Sequence, residues 1–209
     1  MHRTKVTNVF LRLKKFFPNS RIELKFKSNF ELFIAVLLSS RTKDAQVNFV
    51  TKNLFSKANN PYNMIKLGEK IKYYIKSIGF FNRKTDFILK SCNILLKKFN
   101  GKIPSKRKHL ESLPGIGRKS ANVILNVAFG FETIAVDTHV LRVSNRIGLS
   151  NSNNLRNVEN TLDNIVPKEF KISCHSLLVL QGRYICKSKR PNCKICKIND
   201  LCKFYKNNL

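Results

Sequence analysis

Apolar residues recur along most of this chain at intervals of three and four, the period of helices that bury one face. Val9, Phe10, Leu13, Phe16 and Phe17 share one side of residues 7–17, a segment that stops at Pro18. Residues 30–38 are apolar all round, which puts that helix inside a core, and Ser28-Asn29 stands where a cap belongs. The same period predicts helices over residues 44–55, 61–67, 69–78 and 84–99, with breaks at Gly68 and Gly79 and a stop at Asn100-Gly101. Residues 106–112 and 118–128 flank a short Pro/Gly loop, and helices are predicted again over 138–147, 154–165 and 173–184. No stretch alternates as a strand does, so the expected class is all-α. From Cys186 onward the periodicity is lost, and something other than an apolar core must hold that tail.

The chain's 209 residues suffice for one large domain or two small ones, and a hydrophobic share of 43% allows a true core. The longest apolar run, residues 32–38, is far too short to span a bilayer, and the N-terminus lacks a secretory pattern. The expectation is a monomeric cytoplasmic protein, nucleoid-associated, with no membrane partner. The net charge of +28 changes the picture most, because it favours a polyanion such as nucleic acid. An AT-rich coding bias toward Lys, Asn, Ile and Phe accounts for part of it.

Two constellations carry candidate chemistry. In Leu113-Pro114-Gly115-Ile116-Gly117-Arg118-Lys119, the proline fixes one dihedral while the glycines admit positive φ and close backbone approach. A helix starting at Arg118 would aim its N–H groups and positive dipole end outward, which suits a phosphate. Lys119 would then sit beside Arg118 at that helix start, where the ammonium form is disfavoured and the amine becomes a candidate nucleophile. A lysine that merely contacts phosphate fits the same position. The second constellation is Cys186-x6-Cys193-x2-Cys196-x5-Cys202. This is not the paired spacing of a zinc finger, and four thiolates in so short a loop suit either zinc or a [4Fe–4S] cluster. Between the first two cysteines lie Lys187, Lys189 and Arg190, a basic finger suited to phosphates. Cys92 and Cys174, on helical stretches, are expected in the core.

The ordered motifs Phe30-Glu31-Leu32 through Leu37-Leu38-Ser39, Thr42-x-Asp44, residues 113–122, Ala135-Val136-Asp137-Thr138-His139-Val140, Gly182-Arg183-Tyr184 and the four cysteines extend over nearly the whole sequence. In these the chain resembles the endonuclease III family of helix-hairpin-helix DNA glycosylases. The resemblance implies a base-excision-repair glycosylase with abasic-site lyase activity on double-stranded DNA carrying oxidised pyrimidines or abasic sites. It implies that Lys119 attacks the sugar C1′, that Asp137 stabilises positive charge on the sugar, and that Cys186, Cys193, Cys196 and Cys202 hold one [4Fe–4S] cluster. Lys119 also separates this branch from the related adenine-specific glycosylase, which lacks it. The alternative is a non-catalytic DNA-binding iron–sulfur protein.

The same resemblance implies a two-lobed fold: a six-helix lobe over residues 22–131 and a cluster lobe from residues 1–21 and 132–209, with Lys119 and Asp137 facing the cleft. DNA contacts are expected from Leu113, Gly115, Ile116, Gly117 and Arg118, from the basic finger, and from Arg41 and Phe80 as wedges in the gap left by an extruded base. Arg41 departs from the family's Gln at that position; it can stack, but it accepts no hydrogen bond. Ser39, Asp44 and Glu111 match polar positions that line the family's pocket.

Overall fold

The computed structural model describes residues 3–208, and among them there are helices and no strands. In chain order the α-helices are α1 (Arg3–Phe16), α2 (Asn29–Ser39), α3 (Asp44–Lys57), α4 (Pro61–Leu67), α5 (Ile71–Ile75) and α6 (Phe81–Phe99). They continue with α7 (Arg107–Glu111), α8 (Arg118–Phe129), α9 (Thr138–Ile147), α10 (Leu155–Ile165), α11 (Lys168–Leu180) and α12 (Lys203–Lys206). The chain divides into two compact units, one of Met1–Ile22 with Phe131–Leu209 and one of Glu23–Gly130.

Within Glu23–Gly130, α2 is the centre. Phe30 and every residue from Leu32 to Leu38 are buried, and α3, α6 and α8 pack around them. Its start is fixed locally: Ser28 Oγ accepts from the Glu31 N–H at 3.2 Å, while the Glu31 carboxylate accepts from the Lys27 N–H at 2.6 Å. This is a reciprocal cap close to the capping box, and it explains a buried glutamate. In the other unit, Val6, Val9, Phe10 and Leu13 of α1 meet Val140, Val143 and Ile147 of α9 and Phe170, Cys174, Leu177 and Leu178 of α11. The Phe10 and Phe170 rings stack with centroids 5.8 Å apart. Cys92 and Cys174 are both fully buried, and burial pushes the Cys92 thiol up to about 12.

The first helix begins at Arg3 rather than residue 7 and α6 at Phe81 rather than residue 84, and two further predicted helices differ in form. The span 69–78 resolves into a 3-10 turn, Gly68–Lys70, and the single turn of α5, because Gly68 has a φ of +56° and resets the chain direction. The span 173–184 begins earlier, at Lys168 after Pro167, and its last turn widens into a π-helix, Gln181–Ile185. Arg142 braces that turn: its guanidinium donates to Gly182 O at 2.9 Å and to Cys186 O, just beyond the turn, at 3.1 Å.

Candidate DNA-repair site and cysteine centre

The turn before α8 is built by its own residues. The Ile116 N–H donates to Leu113 O at 3.1 Å, with Pro114 and a Gly115 of φ +82° between them, the dihedral order of a type II turn. A Cβ at Gly115 would lie 2.7 Å from Phe87 Cδ2, so the turn also presses directly on α6. Leu113 and Ile116 are 2% and 4% exposed. Their side chains anchor the turn, and what they can offer a phosphate is backbone. Gly117 follows as the N-cap of α8 with no side chain to cap it, and the first helical bond runs from the Ala121 N–H to Gly117 O at 2.9 Å. Lys119 is exposed in the first turn, beside a half-buried Arg118.

Asp137 is the N-cap of α9. Its Oδ1 accepts from the backbone N–H groups of His139 and Val140, each at 2.9 Å, so the carboxylate direction is set by the helix it starts. His139 is a support: it packs against Gly182, where a Cβ would come within 3.0 Å of it, and its Nδ1 lies 3.2 Å from the Arg142 guanidinium. Burial is the main cause that lowers its pKa below the usual histidine value.

Arg41 and Phe80 come together, and the sequence held no sign of that. Both adopt left-handed backbone, at φ +54° and +59°, and the Arg41 guanidinium lies over the Phe80 ring at 5.7 Å. Phe80 is 63% exposed. Lys84 sets the Arg41 turn: this nearly buried lysine donates to Leu38 O and Ser40 O, each at 2.8 Å, and to Thr42 Oγ1 at 3.1 Å. Burial lowers its pKa from the ordinary lysine value. Ser39 spends its hydroxyl proton on Val36 O at 2.8 Å, Asp44 opens α3, and Glu111 is exposed at the end of α7. None of these three lines the pocket that Arg41 and Phe80 share.

The four tail cysteines line one pocket with residues of α9 and the π-helical turn. Each of Cys193 and Cys196 has its thiol pushed up, first by burial and further by the neighbouring thiols of Cys186 and Cys202. Two side-chain donors reach these sulfurs: Gln181 Nε2 to Cys196 Sγ at 3.2 Å and the Arg146 guanidinium to Cys186 Sγ at 3.5 Å. Arg146 also takes the carbonyls of Lys187 and Ser188 at 2.7 and 2.9 Å and lies over the Phe204 ring at 4.7 Å. Lys187, Lys189 and Arg190 are exposed on the loop that it holds. Among the described residues no three His, Cys, Asp or Glu side chains are gathered as ligands of one metal ion. Sequence reasoning missed Arg146, Gln181 and Lys84, since their partners are backbone carbonyls or sulfurs that only the folded chain brings near.

Comparison with known proteins assigns the class. Residues 34–168 match the family of HhH-GPD superfamily base excision DNA repair proteins. The chain is 48% identical over 205 residues to endonuclease III of Escherichia coli (strain K12), covering 98% of this chain and 97% of that one. It is also 48% identical over 203 residues to endonuclease III of Buchnera aphidicola subsp. Baizongia pistaciae, covering 95% and 94%. Among solved structures, a trapped endonuclease III–DNA covalent intermediate in an estranged-adenine complex matches with a TM-score of 0.93 at 41% identity, over 100% of this chain and 99% of that one. A thermostable thymine-DNA glycosylase, 22% identical, shares the fold with a TM-score of 0.88 over 98% of each chain. This chain belongs to the HhH-GPD superfamily of base excision DNA repair proteins.

Proposed function

We propose that this protein is a bifunctional DNA glycosylase and abasic-site lyase, acting on oxidised pyrimidines and abasic sites in double-stranded DNA. The observation that carries the reading is Lys119: an exposed amine in the first turn of α8, directly behind a backbone turn suited to a phosphate, in a chain 48% identical to endonuclease III. The amine attacks the sugar C1′, the bond from C1′ to the base breaks, and the base leaves with its electron pair. Loss of the amine proton and opening of the sugar ring give an imine. Removal of a C2′ proton then expels the 3′ phosphate by β-elimination, and water releases the lysine. Asp137, its direction fixed by two N–H donors, stabilises the positive charge that develops on the sugar and helps take the amine proton.

Cys186, Cys193, Cys196 and Cys202 would hold one [4Fe–4S] cluster. The donor set fits: four sulfurs on one pocket, with N–H groups aimed at two of them as thiolates require. When bound, the cluster supplies four covalent anchors to a tail that has few apolar ones. In this reading the unit formed by both ends of the chain is the cluster lobe, and Glu23–Gly130 is the hairpin lobe. No helix of the described residues is long and apolar enough to cross a membrane.

The test is borohydride trapping. Abasic-site duplex incubated with the protein and borohydride should give a covalent adduct that Lys119→Ala loses entirely. A Lys119→Ala adduct equal to that of the wild type would refute the assignment.

A further inference from the structure

Within the Glu23–Gly130 unit, α3 and the segment 25–27 form the two walls of an open groove of about 770 Å³. One side chain ties the walls together: Asn48 Oδ1 accepts from the Lys25 N–H at 2.8 Å, and Asn48 Nδ2 donates to Glu23 O at 2.9 Å. The groove is therefore shaped before anything binds, which spares a ligand the cost of ordering it. Phe26, Phe49 and Phe55 line it, and Phe49 is 68% exposed. Around the rings stand Lys25, Lys27 and Lys52, all exposed. The lining holds one carboxylate, Glu31, which is buried and takes the Lys27 N–H at 2.6 Å, so the three ammonium groups are in excess. On α3 the residues that face the groove, Ala45, Asn48, Phe49, Lys52 and Phe55, recur at the three- and four-residue spacing along which a second helix packs.

We propose that this groove docks an acidic amphipathic helix of a partner protein, its apolar anchors between the three phenylalanines and its carboxylates on the three lysines. The lysines alone would suit any polyanion, and the rings decide between them. A duplex turns phosphates and sugars outward and has no apolar side chain to fill the space between three phenyl rings. A helix carries both kinds of group on one face, with anchors three and four residues apart. The place of the groove agrees. It reaches the first turn of α2 at Glu31, whereas Arg41 follows the last turn, roughly 16 Å along the helix. None of residues 113–119, Arg41 or Phe80 lines it. A protein held there leaves the hairpin turn open, so partner and DNA bind together.

The probe is a labelled, end-capped peptide of about twelve residues, three helical turns, with glutamates flanking phenylalanines at i and i+4. It should bind the full-length protein, and versions with Lys for Glu or Ala for Phe should not. Phe49→Ala should weaken binding at least tenfold, the scale of an interface anchor, and Lys25→Glu with Lys52→Glu should weaken it as much. Saturation with an abasic-analogue duplex should leave the peptide bound. All variants should trap abasic-site DNA with borohydride as the wild type does. Failure of the acidic peptide to bind overturns the proposal, and so does binding that survives Phe49→Ala, which is charge attraction alone. Displacement by the duplex or by a single-stranded oligonucleotide, or variants that lose trapping, would make the groove a nucleic-acid surface and equally overturn it.

Discussion

Beneath the hairpin turn lie Leu113 and Ile116, both in the core of their unit, and behind them α8 buries Ala121, Val123, Ile124 and Leu125. Beneath the cysteine segment there is far less: after Ile185, Ile198 alone among the described residues is buried. What holds the tail instead is polar. Arg12 pairs with Asp200 at 2.7 Å, Arg146 gathers two loop carbonyls and a sulfur, and Gln181 reaches another sulfur. One functional loop is shaped by packing that any apolar core could supply, the other by side-chain donors and the group its thiols bind. Damage to one should therefore spare the other.

The largest effect expected from that contrast is on Cys196→Ala. It should remove the cluster's charge-transfer absorbance at about 400 nm and lower stability by several kcal/mol, on the order of other structural metal losses. Near-native helix protection in Glu23–Gly130 by hydrogen exchange should accompany the loss; collapse of both units together would break the contrast. Gly115→Val attacks the other loop. Its Cβ meets Phe87 at 2.7 Å and its φ of +82° is strained for valine, so DNA affinity should fall at least tenfold and stability by about 2–4 kcal/mol. The absorbance near 400 nm should stay as in the wild type, to within roughly a tenth.

A smaller effect sharpens the role of the loop on Arg146. Replacing Lys187, Lys189 and Arg190 by Gln should reduce the slope of log binding constant against log salt by about two to three, since each phosphate that a cation neutralises adds about 0.9 to it. An unchanged slope would remove the basic finger from the DNA interface. The smallest concerns Asp137. Asn can still accept from the His139 and Val140 N–H groups, whereas Ala loses the cap, so Asp137→Ala should melt below Asp137→Asn by about 1 kcal/mol of stability. Strand cleavage should be lost to a similar degree in both, by roughly 100-fold or more. Retention of cleavage by Asp137→Asn would reduce Asp137 to a cap.

Most helices could be read from the sequence because each buries one face, and residues such as Val9, Phe10 and Leu13 repeat at the helical period. The hairpin was legible for another reason: Pro114 and Gly115 have so few backbone options that they specify a turn by themselves. The π-helical turn was not: Arg142, which braces it at Gly182 O, comes from another helix. Nor was the meeting of Arg41 with Phe80, since both hold left-handed backbone angles that neither residue type favours. Lys84 reads as one more cation in a chain of forty Lys and Arg residues, and only the fold turns it inward. The candidate catalytic residues follow from resemblance; local chemistry alone left Lys119 as a lysine near a phosphate.

That buried Lys84 has a consequence for how such a repair protein can diversify. Because the ammonium grips the turn by Leu38 O, Ser40 O and the Thr42 hydroxyl, it does not depend on which side chain stands at position 41. The turn behaves as a socket with an interchangeable bit. A different residue at position 41 leaves those three bonds, and so the mounting, unchanged.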